Sequence, residues 1–402
     1  MTTLSLVTEQ AIATIDTLNL RADEILPTIA AGAAQRERDR LLPFDAVAQI
    51  AKAGFFTTRI PVRYGGSGGS VKDVIRLLIR IAAADSNVAQ ALRPGFGFVE
   101  GLLASSSEQA ETERERWFAR YLDGIVVGNA GWEVGGANGS ISARIVRDGD
   151  HYRATGSKYY STGSLYADWV SAVALDEEDQ PVSFILPRNR KGLELLDDFD
   201  AMGPRLTASG TTRLNNVQVL ADEIRTRTVE EGKRTIVTPF LQLFLAAVQA
   251  GIARNALNDA VAFANEHARP IKHSSASRSV DDPYVELSVG DISARAFTAE
   301  AVVLHAAESI DRAWAGDLDP HLVDQAAVDV AQAQYIAAES ALKAAELVFD
   351  VGGASTTGRG HNLDRHWRNA RTVANHNPRH WKASAVGSWQ LKGTPPPTSG
   401  LF

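Results

Sequence analysis

The hydrophobic period of this chain changes twice along its length, and that restricts the folds open to it. Residues 1–122 place apolar side chains at three- and four-residue spacing, as at Val71, Val74, Leu78 and Ile81, which predicts helices. Residues 123–226 switch to short apolar strands. Segments 143–147 and 151–155 flank the turn residue Gly149 and predict a hairpin; 169–175 and 182–186 predict a second pair. Residues 227–402 return to helix. Thr238-Pro239 suits a helix start, with a hydroxyl cap and a proline in the first turn. Leu241, Leu245, Val248, Ile252 and Ala256 then share one face. Ala333, Ala337, Ala341, Ala344 and Val348 make a small-residue face suited to close helix packing in a four-helix bundle, and a Pro-rich extended tail spans 394–402. The expected fold is α+β: an N-terminal helical domain (1–122), a middle β-barrel or sandwich domain (123–226) and a C-terminal helical bundle (227–402).

Several function classes fall away at once. The 402 residues carry a net charge of −7 with no long like-charged block, which argues against nucleic-acid binding. The absence of cysteine excludes disulfides, thiolate metal sites and cysteine nucleophiles. No His/Asp/Glu cluster has metal-ligand spacing, so no metal is expected, and no Walker A motif is present. Residues 1–20 lack the basic-then-apolar shape of a signal peptide, and no run of about 18 apolar residues occurs. The expectation is a soluble cytoplasmic protein. Gly135-Gly136-Ala137-Asn138-Gly139 lies between strands with no following helix, so it suits a loop near a ligand better than a Rossmann phosphate cradle.

Four local sequences occur in one order: Pro61-Val62-Arg63-Tyr64-Gly65-Gly66, Gly156-Ser157-Lys158-Tyr159-Tyr160-Ser161-Thr162, the segment from Met202 to Gly210, and Gly352-Gly353-Ala354 followed by the Arg-rich stretch from Leu363 to Arg371. Together they resemble the acyl-CoA dehydrogenase fold superfamily across nearly the whole chain. Acyl-CoA dehydrogenases remove an α proton with a carboxylate. At one family position for that base this chain has Asn375-His376-Asn377-Pro378; at the other it has 241–245, with no acid before Asp259. The stretch from Trp367 to Thr372, His376-Asn377-Pro378 and Asp281-Asp282-Pro283-Tyr284 instead resemble the branch of two-component flavin-dependent monooxygenases acting in sulfur metabolism, such as the dibenzothiophene and sulfone/sulfinate monooxygenases.

That resemblance implies reduced FMN as cofactor, with FAD less favoured, supplied by a separate NAD(P)H flavin reductase. Oxygen would add at flavin C4a, and the resulting (hydro)peroxyflavin would oxygenate a small organic substrate, organosulfur being the first guess. It implies catalytic roles for His376, Asn129 and Thr162. Cofactor contacts would come from Asn129, Ser161, Thr162, Arg269, Gly352 and Gly353, and substrate walls from Phe96, Trp132, Phe199, Met202 and Phe240. His376 suits control of flavin protonation, because imidazole titrates near working pH. A homotetramer is implied. The relatives carry a His and a Tyr on the helix before the sheet; here 91–98 has neither, and Pro94 should interrupt that helix. The rivals are a dehydrogenase or oxidase of the same fold, which needs a carboxylate at the flavin, and a non-catalytic scaffold.

Overall fold

The computed structural model describes residues 13–135, 140–225, 234–398 and 402. The N-terminal helices are α1 (Ile15–Asp39), α2 (Phe44–Lys52), α3 (Val71–Ala84), α4 (Ser86–Ala91), α5 (Arg93–Ala104) and α6 (Ala110–Leu122). Ser70 starts α3 with a reciprocal capping box to Asp73, and Val71, Val74, Leu78 and Ile81 are all buried. Pro94 does divide a helix: α4 ends at Ala91, and Pro94 lies in the first turn of α5, where no N–H is needed.

An eight-stranded sheet follows: β1 (Val127–Ala130), β2 (Arg144–Asp148), β3 (His151–Lys158), β4 (Trp169–Leu175), β5 (Pro181–Pro187), β6 (Leu193–Leu195), β7 (Thr212–Leu220) and β8 (Ile224–Arg225). Its order is β6-β7-β3-β2-β4-β5-β8, with β1 paired in parallel to β4. Both expected hairpins are present, and Gly149 turns the first with φ 67°. Strands β6 and β8 are too short to announce themselves by alternation. The sheet has its own core, with Ile145, Phe184, Leu186 and Val217 at its centre.

The C-terminal helices are α7 (Val237–Glu266), α8 (Pro283–Ala315), α9 (Pro320–Gly352), α10 (Arg365–Ala374) and α11 (Arg379–Lys392). Helix α7 begins one residue before Thr238, whose hydroxyl caps nothing; the Thr235 hydroxyl instead accepts from the Val237 N–H. Asp282 caps α8 by accepting from the Tyr284 N–H, with Pro283 at the first helical position, a local structural role for that acid-proline motif. Helix α7 is apolar on all sides, not one, and residues Phe240 to Ala253 are buried with the sole exception of Leu241. It is long and apolar enough to cross a membrane by length and composition, yet it is the central helix of the bundle. The small face of α9 packs inside the chain, with Ala337, Ala341, Ala344 and Val348 inaccessible to solvent.

The two helical zones share one core running from Leu18 to Val373. Helices α3 and α7 meet at Gly251: a Cβ there would lie 2.3 Å from the Ala82 Cβ and 2.8 Å from the Ile79 carbonyl oxygen. Both partners are helix backbone or its first side-chain atom, so neither can yield. Gly251→Val is expected to lose about 1–3 kcal/mol or more from overpacking, read as a lowered Tm with the sheet core melting in the same transition.

Candidate active site

Four segments from distant parts of the sequence converge beside the first turns of α7. Strand β1 carries Asn129, and its backbone N–H donates to the Thr162 carbonyl at 3.2 Å. The Thr162 segment leaves β3 through Tyr160, at φ 56°, and Gly163, at φ 75°. A Cβ on Gly163 would lie 2.4 Å from the Ala91 carbonyl oxygen, so this loop sits directly on the α4–α5 junction. The Thr162 hydroxyl joins the Ser209 hydroxyl at 2.9 Å, and Ser209 joins Thr207 at 2.8 Å, making a chain of three hydroxyls. Ser161 is fully buried and its Oγ has no partner. The Asn129 amide is half-buried and also has none among the described residues, so it is free to donate and accept.

The same junction carries Arg93, whose Nε donates to the Leu241 carbonyl at 3.2 Å. Burial lowers its guanidinium to about 10, so it stays charged at neutral pH. The fourth segment is the turn after α10. His376 is exposed at the surface of the single chain, in the turn between α10 and α11. Desolvation by the surrounding protein, then the charge of Arg93, pushes its imidazole well below the ordinary range, against hydrogen bonds that favour the proton, so it is neutral at working pH. Behind it, the Gln242 amide oxygen accepts from Asn377, from Gln334 at 3.4 Å and from Lys382 at 3.5 Å. A cavity of about 10 Å³ beside this cluster, lined by Gln249, Gln334 and Asn377, has room for a single water, and the side-chain oxygens of all three lack a protein partner.

The loop geometry is braced by a buried ion pair. The Lys158 ammonium donates to Glu133 at 2.6 Å, and the other Glu133 contacts are the Ser142 N–H at 2.8 Å, the Ala143 N–H at 3.1 Å and the Ser142 hydroxyl. This ties the end of β3, just before Tyr160, to the residues following Trp132, which itself bridges Tyr159.

Of the expected wall residues, Trp132 and Met202 are exposed. Phe96 packs against Phe56 and Phe244 at ring distances of 4.8 and 5.9 Å, and Phe240 is 1% exposed, which makes both core side chains. Phe199 is nearly buried, 6.5 Å from Tyr159. Arg269, Gly352 and Gly353 are not brought to this site. Arg269 is an exposed residue beyond the C-terminal end of α7, and Gly352 packs under Phe263 at that same end. From Leu241 to Glu266 the helix axis runs about 38 Å, much longer than an FMN molecule. One chain cannot contact a single flavin with both His376 and Arg269. Ser355 and Arg359 are exposed at that far end too. The segment 136–139, expected near the ligand, lies outside the described residues.

Residues 20–124 match the acyl-CoA dehydrogenase N-terminal domain and residues 243–380 the acyl-CoA dehydrogenase C-terminal domain. The chain belongs to the acyl-CoA dehydrogenase family. It is 28% identical to the dibenzothiophene monooxygenase of Rhodococcus qingshengii, over 94% of this chain and 91% of that one. It is 28% identical to a probable FMNH2-dependent monooxygenase, SfnC, of Pseudomonas putida, over 87% and 88%. The FMN-bound crystal structure of TdsC from Paenibacillus sp. A11-2 superposes with a TM-score of 0.89 at 27% identity, covering 96% of this chain and all of that one.

Arg93 and the Gln242 cluster escaped the sequence reading. The available signal for Arg93 was a lone charge inside the otherwise uncharged stretch 86–99. The Glu133 brace yields a pH prediction. Burial raises the Glu133 carboxyl, but the hydrogen bonds from Lys158, Ser142 and Ala143 outweigh it and hold it at about 2, from an ordinary 4.5. The folded value lies below the unfolded one, so this stability is complete above about pH 4.5 and is lost as the pH falls toward 2. Glu133→Gln is expected to lower Tm at pH 7 and to flatten its decline over that window, as measured by calorimetry across pH.

Proposed function

We propose that this protein is the oxygenase of a two-component monooxygenase system. It would take reduced FMN from a separate NAD(P)H flavin reductase and use dioxygen to oxygenate a small organosulfur compound. The observation that carries this reading is the character of the site: a neutral histidine, an arginine, amides and hydroxyls, with no carboxylate positioned as a base among the described residues. Asp259, the first acid along α7, is committed to Arg365 at 2.6 Å and His366 at 2.8 Å, and those contacts hold its carboxyl far below the ordinary range although burial opposes them. The relatives named above and the FMN-bound likeness agree with this reading, and the dehydrogenase alternative finds no group to remove an α proton.

The unpartnered, half-buried Asn129 amide fits a polar ring edge such as that of the flavin, whereas the Ser161 Oγ is sealed inside the protein. Asn129 and Thr162 would hold that edge, with the hydroxyl chain through Ser209 and Thr207 fixing Thr162. When bound, reduced FMN supplies two electrons, so that one oxygen atom of dioxygen reaches the substrate and the other leaves as water. His376, as a neutral imidazole, has one ring nitrogen that can accept a proton and one that can donate. Its task is to set when a proton reaches the reacting centre.

The 38 Å separation along α7 gives Arg269, Gly352 and Gly353 a task only at a neighbouring subunit's flavin, where Arg269 would hold the phosphate. We infer a homotetramer on this basis. The small face of α9 is used up inside the chain, and α8 (Tyr284, Leu287, Phe297) and α11 (Trp381, Leu391) each carry strongly exposed large hydrophobic side chains, which suits contacts between copies. A cytoplasmic setting fits a protein that meets a reductase.

His376→Ala is expected to keep reduced-FMN affinity but to divert oxygen consumption to hydrogen peroxide, measured as product formed per oxygen consumed. A coupled variant would remove His376 from this role. Arg269→Ala is expected to weaken FMN binding by about 1.5–3 kcal/mol, roughly ten- to a hundredfold in Kd, by fluorescence titration. Unchanged affinity would leave Arg269 a surface residue.

A further inference from the structure

Arg93 is a cation that the reaction as described does not use. Its Nε is bonded to the Leu241 carbonyl, and no carboxylate pairs with it among the described residues. Its two terminal nitrogens have no protein partner either, and they are absent from the fully enclosed unpartnered atoms, so they retain access to open space. The backbone carbonyl fixes one edge of the guanidinium and leaves the other edge presented, the arrangement that binds carboxylate-like groups by two parallel hydrogen bonds. The location is specific. Gly163 rests on the carbonyl of Ala91 two residues away, and Arg93 acts electrostatically on His376. The α4–α5 junction that carries Arg93 therefore lies against the Thr162 loop, and its charge is felt at His376. Burial lowers the other group acting on His376, the Lys382 ammonium, to about 7, so Arg93 is the charge that persists there. A charged arginine with no paired carboxylate among the described residues gives the site positive potential, where an organic anion is favoured over a neutral ring system.

We propose that Arg93 recognises an anionic oxygen group on the substrate, so that the organosulfur substrate is an anion, a sulfinate or a sulfur compound bearing a carboxylate, and not a neutral thioether or sulfone. This rests on the reading of the cleft as a monooxygenase site, and deepens it. Gly97 supports the geometry: its Cβ would meet the Leu241 side chain at 2.7 Å, so α5 lies close enough to α7 to keep Arg93 on its carbonyl anchor. Arg93 touches the substrate, while Leu241 positions it.

The test is isothermal titration of the full-length protein with three probes of similar size: benzenesulfinate, benzoate and the neutral methyl phenyl sulfone. The wild type is expected to bind one or both anions and to bind the sulfone at least tenfold more weakly. Preference between the two anions tells sulfinate from carboxylate. Arg93→Gln is expected to lose tenfold or more in anion affinity with sulfone binding unmoved, and Arg93→Lys to recover part of it; helical circular dichroism and Tm check that both variants fold. Equal affinity for sulfone and anions in the wild type, no binding of either anion, or anion affinity unchanged in Arg93→Gln would each overturn the proposal. A parallel titration with reduced FMN reports on the flavin reading separately, since it involves none of the three probes.

Discussion

A thirty-residue helix that is apolar on every side has to be surrounded, and the rest of this structure follows from that requirement on α7. Helices α3, α8, α9 and α10 enclose it, so the N-terminal and C-terminal helices form one core in spite of the sheet between them in sequence. The enclosure also gives the helix two ends with different work. At the near end, the Leu241 carbonyl anchors Arg93 and Gln242 gathers Asn377, Gln334 and Lys382. At the far end stand Arg269 and Gly352, out of reach of the first set.

The sheet contributes position. Its β1 strand and the loop after β3 bring Asn129 and Thr162 into backbone contact, and the buried Glu133–Lys158 pair fixes where that loop starts. Burying an ion pair is costly unless its lone pairs are filled. Here the Glu133 oxygens take four hydrogen bonds, which favours a single loop geometry over a mobile one. A similar device joins α1 to α10, where buried Glu37 accepts from Arg368 and Asn362 and so holds the helix that leads into the His376 turn.

Much of this was legible in the sequence because periodicity reports which faces are buried. The change from helix to strand period and the hairpin at Gly149 were visible in local patterns. The all-round burial of α7 was not, since a face through Leu241, Leu245 and Val248 is seen whether or not the opposite side is also covered. The matched motifs singled out Asn129 and Thr162, which the structure brings into backbone contact, and His376, whose roles belong to the proposed function. Arg93 was not legible, because its meaning depends on the absence of an acid across a cleft, which is a property of the fold. Phe96 and Phe240 illustrate the converse: an aromatic near a site in sequence cannot announce whether its ring faces the cleft or the core.

The central claim is that this site directs reduced FMN and dioxygen toward oxygen transfer. Stopped-flow spectroscopy tests it most directly, by mixing the protein and chemically reduced FMN with oxygenated buffer, with and without the organic acids above. The account predicts a transient spectrum that is neither reduced nor oxidised FMN and that outlasts the reoxidation of free reduced FMN. Reoxidation in one step at the rate of the free flavin under both conditions, together with reduction of the bound flavin by an acyl-CoA, would contradict it and place the protein among the dehydrogenases of its family.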